Sequence, residues 1–352
     1  MKKLHIAYLA CTAAIVGTGL GAAPSAAGHM IQTVRPGESI QKAVDAARPG
    51  DTVLVLPGVY HESVKVTTAY ITLRGVGRQT VIEPGTKKAG DRCSEKGNGI
   101  CVVGAKDRSL KGVTVASLTV GGFTGSGVFA MGTDGLTVRN VSALNNGVWG
   151  IAQERSVRSV LRGNTVSGSG DAGIFLANTI TAEKGATDTE GTRVVRNRLQ
   201  GNRVGVTVRR LRDLHVDRNY LTGNCVGVFV VGDENKPKAG DLTVRQNRIV
   251  ANNKSCPKTA RLPALQGSGI VLTGAEKTLV ANNEIRDNAG TSPLSGGIVL
   301  FKSFVGTTSD DNRITGNRLS GNAPADLVNS DLGKGNTFES NTCRASKPAG
   351  LC

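Results

Sequence analysis

A glycine followed by alternating apolar residues recurs eight times along the chain. The segments are Gly99-Ile-Cys-Val, Gly127-Val-Phe-Ala, Gly150-Ile-Ala-Gln, Gly173-Ile-Phe-Leu, Gly205-Val-Thr-Val, Gly227-Val-Phe-Val, Gly269-Ile-Val-Leu and Gly297-Ile-Val-Leu. These glycines are 28, 23, 23, 32, 22, 42 and 28 residues apart, so the unit is 22–23 residues with insertions of varying length. A period of two predicts short strands. The first and third residues after each glycine face inward and the second faces out. Asn-x4-Asn keeps the same register at 140/145, 197/202, 219/224, 247/252, 283/288, 317/322 and 336/341, and 164/169 has asparagine then serine. Asparagine tolerates left-handed backbone and bonds its own turn. In stacked coils equivalent asparagines lie about 4.8 Å apart, close enough for an amide ladder.

Such a repeat is a solenoid. A leucine-rich repeat needs a dense leucine frame, and a propeller blade needs about 40 residues. Three short β-branched strands per unit, with Gly and Asn turns, predict an all-β parallel β-helix. Val138, Val160, Val194, Val216, Val244 and Val280 fall in second strands. The opening differs. Residues 39–47 have helical spacing with Ser39 as N-cap; Pro49-Gly50-Asp51 stops the helix, and residues 52–56 read as a strand. An open solenoid end exposes its core and needs a cap. The short helix supplies one, and a Cys343–Cys352 loop tethers the other end.

The first residues change the picture of location. Met-Lys-Lys, an apolar run from Leu4 to Ala23 and Ser25-Ala26-Ala27 give the order of a secretory signal peptide over 1–27. A membrane span is disfavoured, because the run is marginal, glycine-bearing and not followed by a second. Cys11 lies too early for a lipoprotein site. The organisation is thus leader 1–27, cap and first coils 28–98, and repeats 99–352, in a secreted, extracellular monomer. Removing the leader leaves Cys93, Cys101, Cys225, Cys256, Cys343 and Cys352, an even set that argues for disulfides. Six cysteines allow 15 pairings. Short loops favour Cys93–Cys101 and Cys343–Cys352, which leaves Cys225–Cys256. No CxxC occurs and the four histidines are scattered, so zinc and copper are disfavoured.

The formal charge of +16 falls to +14 once Lys2 and Lys3 leave with the leader. That favours anionic partners, an acidic polysaccharide or cell-envelope glycan first among them. Only 3% of residues are aromatic, which gives poor stacking platforms for nucleic acid, and no recognition helix is apparent. Nucleic acid is not expected.

Residues 40–44 (Ile-Gln-Lys-Ala-Val), 49–53 (Pro-Gly-Asp-Thr-Val), 57–62 (Pro-Gly-Val-Tyr-His-Glu) and 73–75 (Leu-Arg-Gly) resemble the opening of pectin-lyase-like β-helix proteins. The chain after residue 30 is similar to secreted actinobacterial right-handed β-helix repeat proteins, a group related to the copper-maturation protein NosD. The segment 322–327 and the tail 348–352 fit that group. The resemblance implies a right-handed, single-stranded parallel β-helix; it says little of function, because one fold hosts many chemistries. Residues 57–62 also look like the start of pectin methylesterases, but the later glutamine, aspartate and arginine motifs have no counterpart. The aspartate pairs and Gly-His-Gly of polygalacturonases are missing too. Asp310-Asp311 reads as a solvated loop pair. Copper handling finds few histidines and three methionines.

Aligning the eight strands places candidate chemistry. The outward column is Cys101, Phe129, Ala152, Phe175, Thr207, Phe229, Val271 and Val299, apolar enough either to stack sugars or, as preferred here, to lie beneath long loops. Charge gathers on the middle coils at Glu154, Arg155, Asp171, Arg203, Arg209 and Arg210, with insertions around 179–191, 233–241 and 253–266 as walls. One reading is an Asp171–Arg203 ion pair with decorative arginines. The other is an anion-binding groove, since arginine forks match carboxylates. Glu154 and Asp171 sit six strand positions apart, about 20 Å, too far for a glycosidase pair. A uronate lyase or epimerase fits better, with arginines neutralising the sugar carboxylate, but its base is unidentified. No cofactor is firm; calcium could assist through Asp171, where one carboxylate is too few for a firm site. A non-catalytic glycan-binding envelope or matrix protein is the alternative.

Overall fold

The computed structural model describes residues 29–86, 90, 92–260 and 262–352. The expected leader, with Cys11, lies outside them. Three long parallel sheets of 13, 10 and 11 strands run the length of the molecule. Each coil contributes one strand to each sheet: Leu211–Asp217 to the first, Tyr220–Thr222 to the second and Val226–Val231 to the third. This is a right-handed parallel β-helix.

Alternation builds the core. Ile174 and Leu176, Val206 and Val208, and Val228 and Val230 point into the bore from the third sheet and are fully buried. Val194, Val216 and Val244 meet them from the first sheet. In the coil before these Val160 lies in the strand as expected, and the inward residue is its neighbour Leu161. The recurring glycine has a packing cause. A Cβ on Gly205 would sit 2.5 Å from the Gly227 carbonyl and 2.6 Å from Leu221 Cδ2, so the strand entry has no room for a side chain.

The helix Ile40–Ala46 covers the N-terminal end, and Ser39 Oγ accepts from Lys42 N at 3.3 Å. Glu62 completes that cap by accepting from Ile40 N at 2.7 Å and Gln41 N at 3.2 Å. The Tyr60 hydroxyl donates to the carbonyls of Val34 and Leu56. Residues 57–62 therefore seat the cap on the first coils.

The turns carry amide ladders. Each Nδ2 of Asn164, Asn197, Asn219, Asn247, Asn283 and Asn317 donates to the next Oδ1 at 2.9–3.0 Å, ending at Asn341. A second ladder runs Asn202, Asn224, Asn252, Asn288, Asn322 and ends on Asp326. Two pairs differ from expectation. Asn140 and Asn145 are exposed at φ 54° and 52°, and Asn146, one residue on, takes the inner position by accepting from Phe123 N. Asn336 and Asn341 continue Asn312 and Asn317, one strand earlier than 317/322. Left-handed turn and inner ladder are adjacent positions, and asparagine suits both.

Disulfides join Cys93 to Cys101, Cys225 to Cys256, and Cys343 to Cys352. Among the described residues no helix is long and apolar enough to cross a membrane.

Candidate functional site: a loop-walled cleft on the third sheet

Strand pairing reproduces the outward column, Cys101 through Val299, coil by coil. Val271 and Val299 are fully buried in an apolar cluster with Leu265 and Leu294, so loops cover that stretch as expected. Phe175, Thr207 and Phe229 instead floor a cleft of 440 Å³, with Arg209, Val231 and Thr273 two residues further along the strands. Trp149 stands at one end. Its ring stacks on Phe175 at 4.5 Å and 16°, and its Nε1 donates to Asp171 Oδ2 at 3.0 Å. Phe304 and Val305 form a lip, 52% and 58% exposed.

Insertions next to the third-sheet strands make the walls, and buried charge holds them. Arg210 is 1% exposed; it donates to Asp233 at 3.2 Å and to the carbonyls of Thr179 and Ala182 at 3.2 and 3.0 Å. Two walls thus share one guanidinium, and Ala186 N reinforces the join by donating to the Pro237 carbonyl. Arg203, 7% exposed, donates to the carbonyls of Pro257 and Pro263, pinning the insertion that Cys256 ties to Cys225. Glu154 Oε1 accepts from Ile180 N at 3.3 Å. Lys238 pairs with Asp310 and donates to the Thr308 carbonyl, tying the wall at 232–238 to the lip. Burial pushes the Asp310 carboxyl up, but Lys238, the Lys334 amide and the Thr308 hydroxyl outweigh it and hold it below its ordinary range. Asp310 is therefore a tie rather than half of a solvated pair.

These contacts correct the expected groove. Arg203 turns to carbonyls rather than to Asp171, and Arg210 is buried structure. Arg155 is exposed and outside the lining, and Glu154 supports a wall. Of the four arginines only Arg209 reaches the cleft, where its Nη1 also donates to the Ile180 carbonyl. Four carboxylates line it, Asp171, Glu183, Asp233 and Glu234, with no lysine, histidine or tyrosine among the described lining residues. Trp149 was missed, although the chain's single tryptophan placed directly before Gly150 was a signal open to reading.

Right handed beta helix region is the family matching residues 90–249, and Periplasmic copper-binding protein (NosD) matches residues 177–347. With strand order and register, these matches decide the fold. The chain is a right-handed parallel β-helix protein. No curated protein matches this β-helix protein in sequence. Among solved structures it is similar to the A-module of a mannuronan C-5 epimerase from Azotobacter vinelandii. The identity is 20% and the TM-score 0.60, over 87% of this chain and 92% of that one. It is similar to DFA-IIIase from Arthrobacter chlorophenolicus at 13% identity and TM-score 0.62, over 84% and 74%. A periplasmic alginate epimerase aligns at 14% identity and TM-score 0.52, over 88% and 83%. Likeness at these identities establishes the fold alone. Copper does not fit the residues present. The six described cysteines are in disulfides, and among the described residues no three His, Cys, Asp or Glu side chains converge on one point.

Proposed function

We propose that this is an exported glycan-binding protein whose ligand lies along the third-sheet cleft. The Trp149–Phe175 pair beside Asp171 carries the reading. A sugar offers an apolar C–H face to an aromatic ring and hydroxyls to carboxylates, and the cleft presents both within one concavity. The periplasmic family and the periplasmic alginate epimerase that this chain is similar to, with the three disulfides, support export to an oxidising compartment. A second reading rests on Arg209 sharing the cleft with acids. In a lyase or epimerase step Arg209 would pair the uronate carboxylate, and one of the four carboxylates would take the α-proton.

Titration of Trp149→Ala with short oligosaccharides, neutral and acidic, tests the site. The variant should bind the best ligand about tenfold more weakly, the worth of one aromatic platform. Unchanged affinity would remove the cleft from the binding function. Incubating the native protein with the same oligosaccharides, while following unsaturated-product absorbance and C-5 configuration, separates binding from catalysis.

A further inference from the structure

Four arginines stand in close file at the corner between the first and second sheets, on the coils from Thr137 to Asp217. Arg139 and Arg162 are directly opposite in register. Arg196 and Arg218 follow the paired residues Val195 and Asp217, one position along on the next two coils. None of the four makes a side-chain hydrogen bond or ion pair among the described residues. Elsewhere on these two sheets many exposed arginines are neutralised: Arg193 and Arg245 share Asp217, Arg248 and Arg286 share Glu284, and Arg313 meets Glu339. Arg74, Arg198 and Arg318 are exposed without an acidic partner among the described residues, but Arg198 and Arg318 stand apart from the file, and what sets the four apart is that they are consecutive.

The file is costly in two ways. Like charges directly opposite on a sheet repel. Arg196 and Arg218 also hold φ of 55° and 54°, in the left-handed region, where the equivalent turns use Gly163, Asn282 and Gly316 and also Ser117, Gln246 and Ser340. Arginine is a poor choice there for the backbone.

We propose that this corner is a docking strip for a linear polyanionic glycan bearing one carboxylate per sugar. The rows are about 4.8 Å apart and four of them span about 14 Å, a pitch close to the rise of one sugar. Each guanidinium can grip a carboxylate with two parallel bonds. Duplex DNA, with a charge every ~1.7 Å of axis, matches a single file poorly. The strip shares no residue with the cleft and stands whether or not the cleft binds sugars.

The test uses the full chain and polygalacturonate as probe, read by retardation in affinity electrophoresis. Changing Arg139, Arg162, Arg196 and Arg218 to Gln should weaken retention by about tenfold or more, and the native interaction should fall with salt. A control with Lys42, Lys106, Arg344 and Lys347 changed to Gln removes the same charge and should change retention less than about twofold. Arg196→Asn with Arg218→Asn, which suits the left-handed turns, should give a partial loss with an unchanged melting temperature. Equal loss in the strip and control variants would reduce the effect to net charge and overturn the proposal. So would tighter retention by duplex DNA that disappears with the strip variant.

Discussion

The third-sheet cleft and the arginine corner use the same residue in opposite ways. In the cleft region Arg203 and Arg210 are buried and spend their donors on loop carbonyls and Asp233, so the charge acts as a girder. At the corner Arg162, Arg196 and Arg218 are exposed and unneutralised. The difference follows from where the insertions leave the solenoid. Loops beside the third sheet supply carbonyls that draw long side chains inward. The tight ladder turns supply none, because their amides already bond to each other and to the turn carbonyls. Net charge thus says little about place. A chain of formal charge +16 lines its cleft, among the described residues, with four carboxylates and one arginine.

The sharpest way to break this comparison is Arg210→Ala. If Arg210 is a girder, its loss leaves Asp233 and the Thr179 and Ala182 carbonyls without their partner. It should cost about 3 kcal/mol in denaturant unfolding, and oligosaccharide binding should fall with it. A melting curve like the native one would place Arg210 among surface charges. Asn219→Leu tests the ladder that keeps the corner tight. Asn219 donates to the Val194 carbonyl and to Asn247, and accepts twice from Asn197. Its replacement should cost roughly 1–3 kcal/mol per stranded partner group, summing to less than full additivity. Stability unchanged would show the ladder to be ornament.

Acid should loosen the cleft before the corner. Asp310 has a folded pKa below its unfolded value of about 3.9, so its contribution is present above that value and lost as pH falls through the lower, folded one. From pH 7 to 5 the Lys238–Asp310 tie should hold, and below about pH 4 it should fail progressively. Other carboxylates titrate there as well, so the readout is the difference between native protein and Asp310→Asn. Limited proteolysis of the segment 232–238 should be pH-dependent in the native chain and already faster, with less pH dependence, in the variant. Identical profiles would sever the lip from the wall.

Most of the fold could be read from residues because it is periodic. The outward column from Cys101 to Val299 pairs as the repeat implied, since alternation fixes which way each Cβ points. The N-cap at Ser39 was legible for the same reason: its determinants are local. The site was less so. A column states where a Cβ starts, and an arginine ends several bonds later on whatever the neighbouring loop offers. The insertions have no repeat, so nothing in the pattern placed the Pro257 carbonyl beside Arg203 or Asp233 beside Arg210. The ladder shift at Asn140 and Asn145 is a smaller case, because one residue type serves two adjacent positions.

Arg155 gives the smallest expected effect and the finest distinction. It shares φ 50° with the left-handed turns and is exposed, yet it follows Ile151–Glu154 on the third sheet, away from the file. The same turn in nearby coils is Gly132 at φ 62° and Gly274 at φ 59°. Arg155→Gly should therefore be neutral or slightly stabilising, within about 0.5 kcal/mol, because glycine adopts this backbone without a Cβ penalty while its freer unfolded chain offsets part of the gain. Polygalacturonate retention should change no more than it does for a single control lysine. Arg218→Gly removes one charge from the same kind of backbone but takes it from the file, and should weaken retention more. If the two glycine variants weaken retention equally, position at the corner contributes nothing beyond charge, and the distinction between the two faces rests on burial alone.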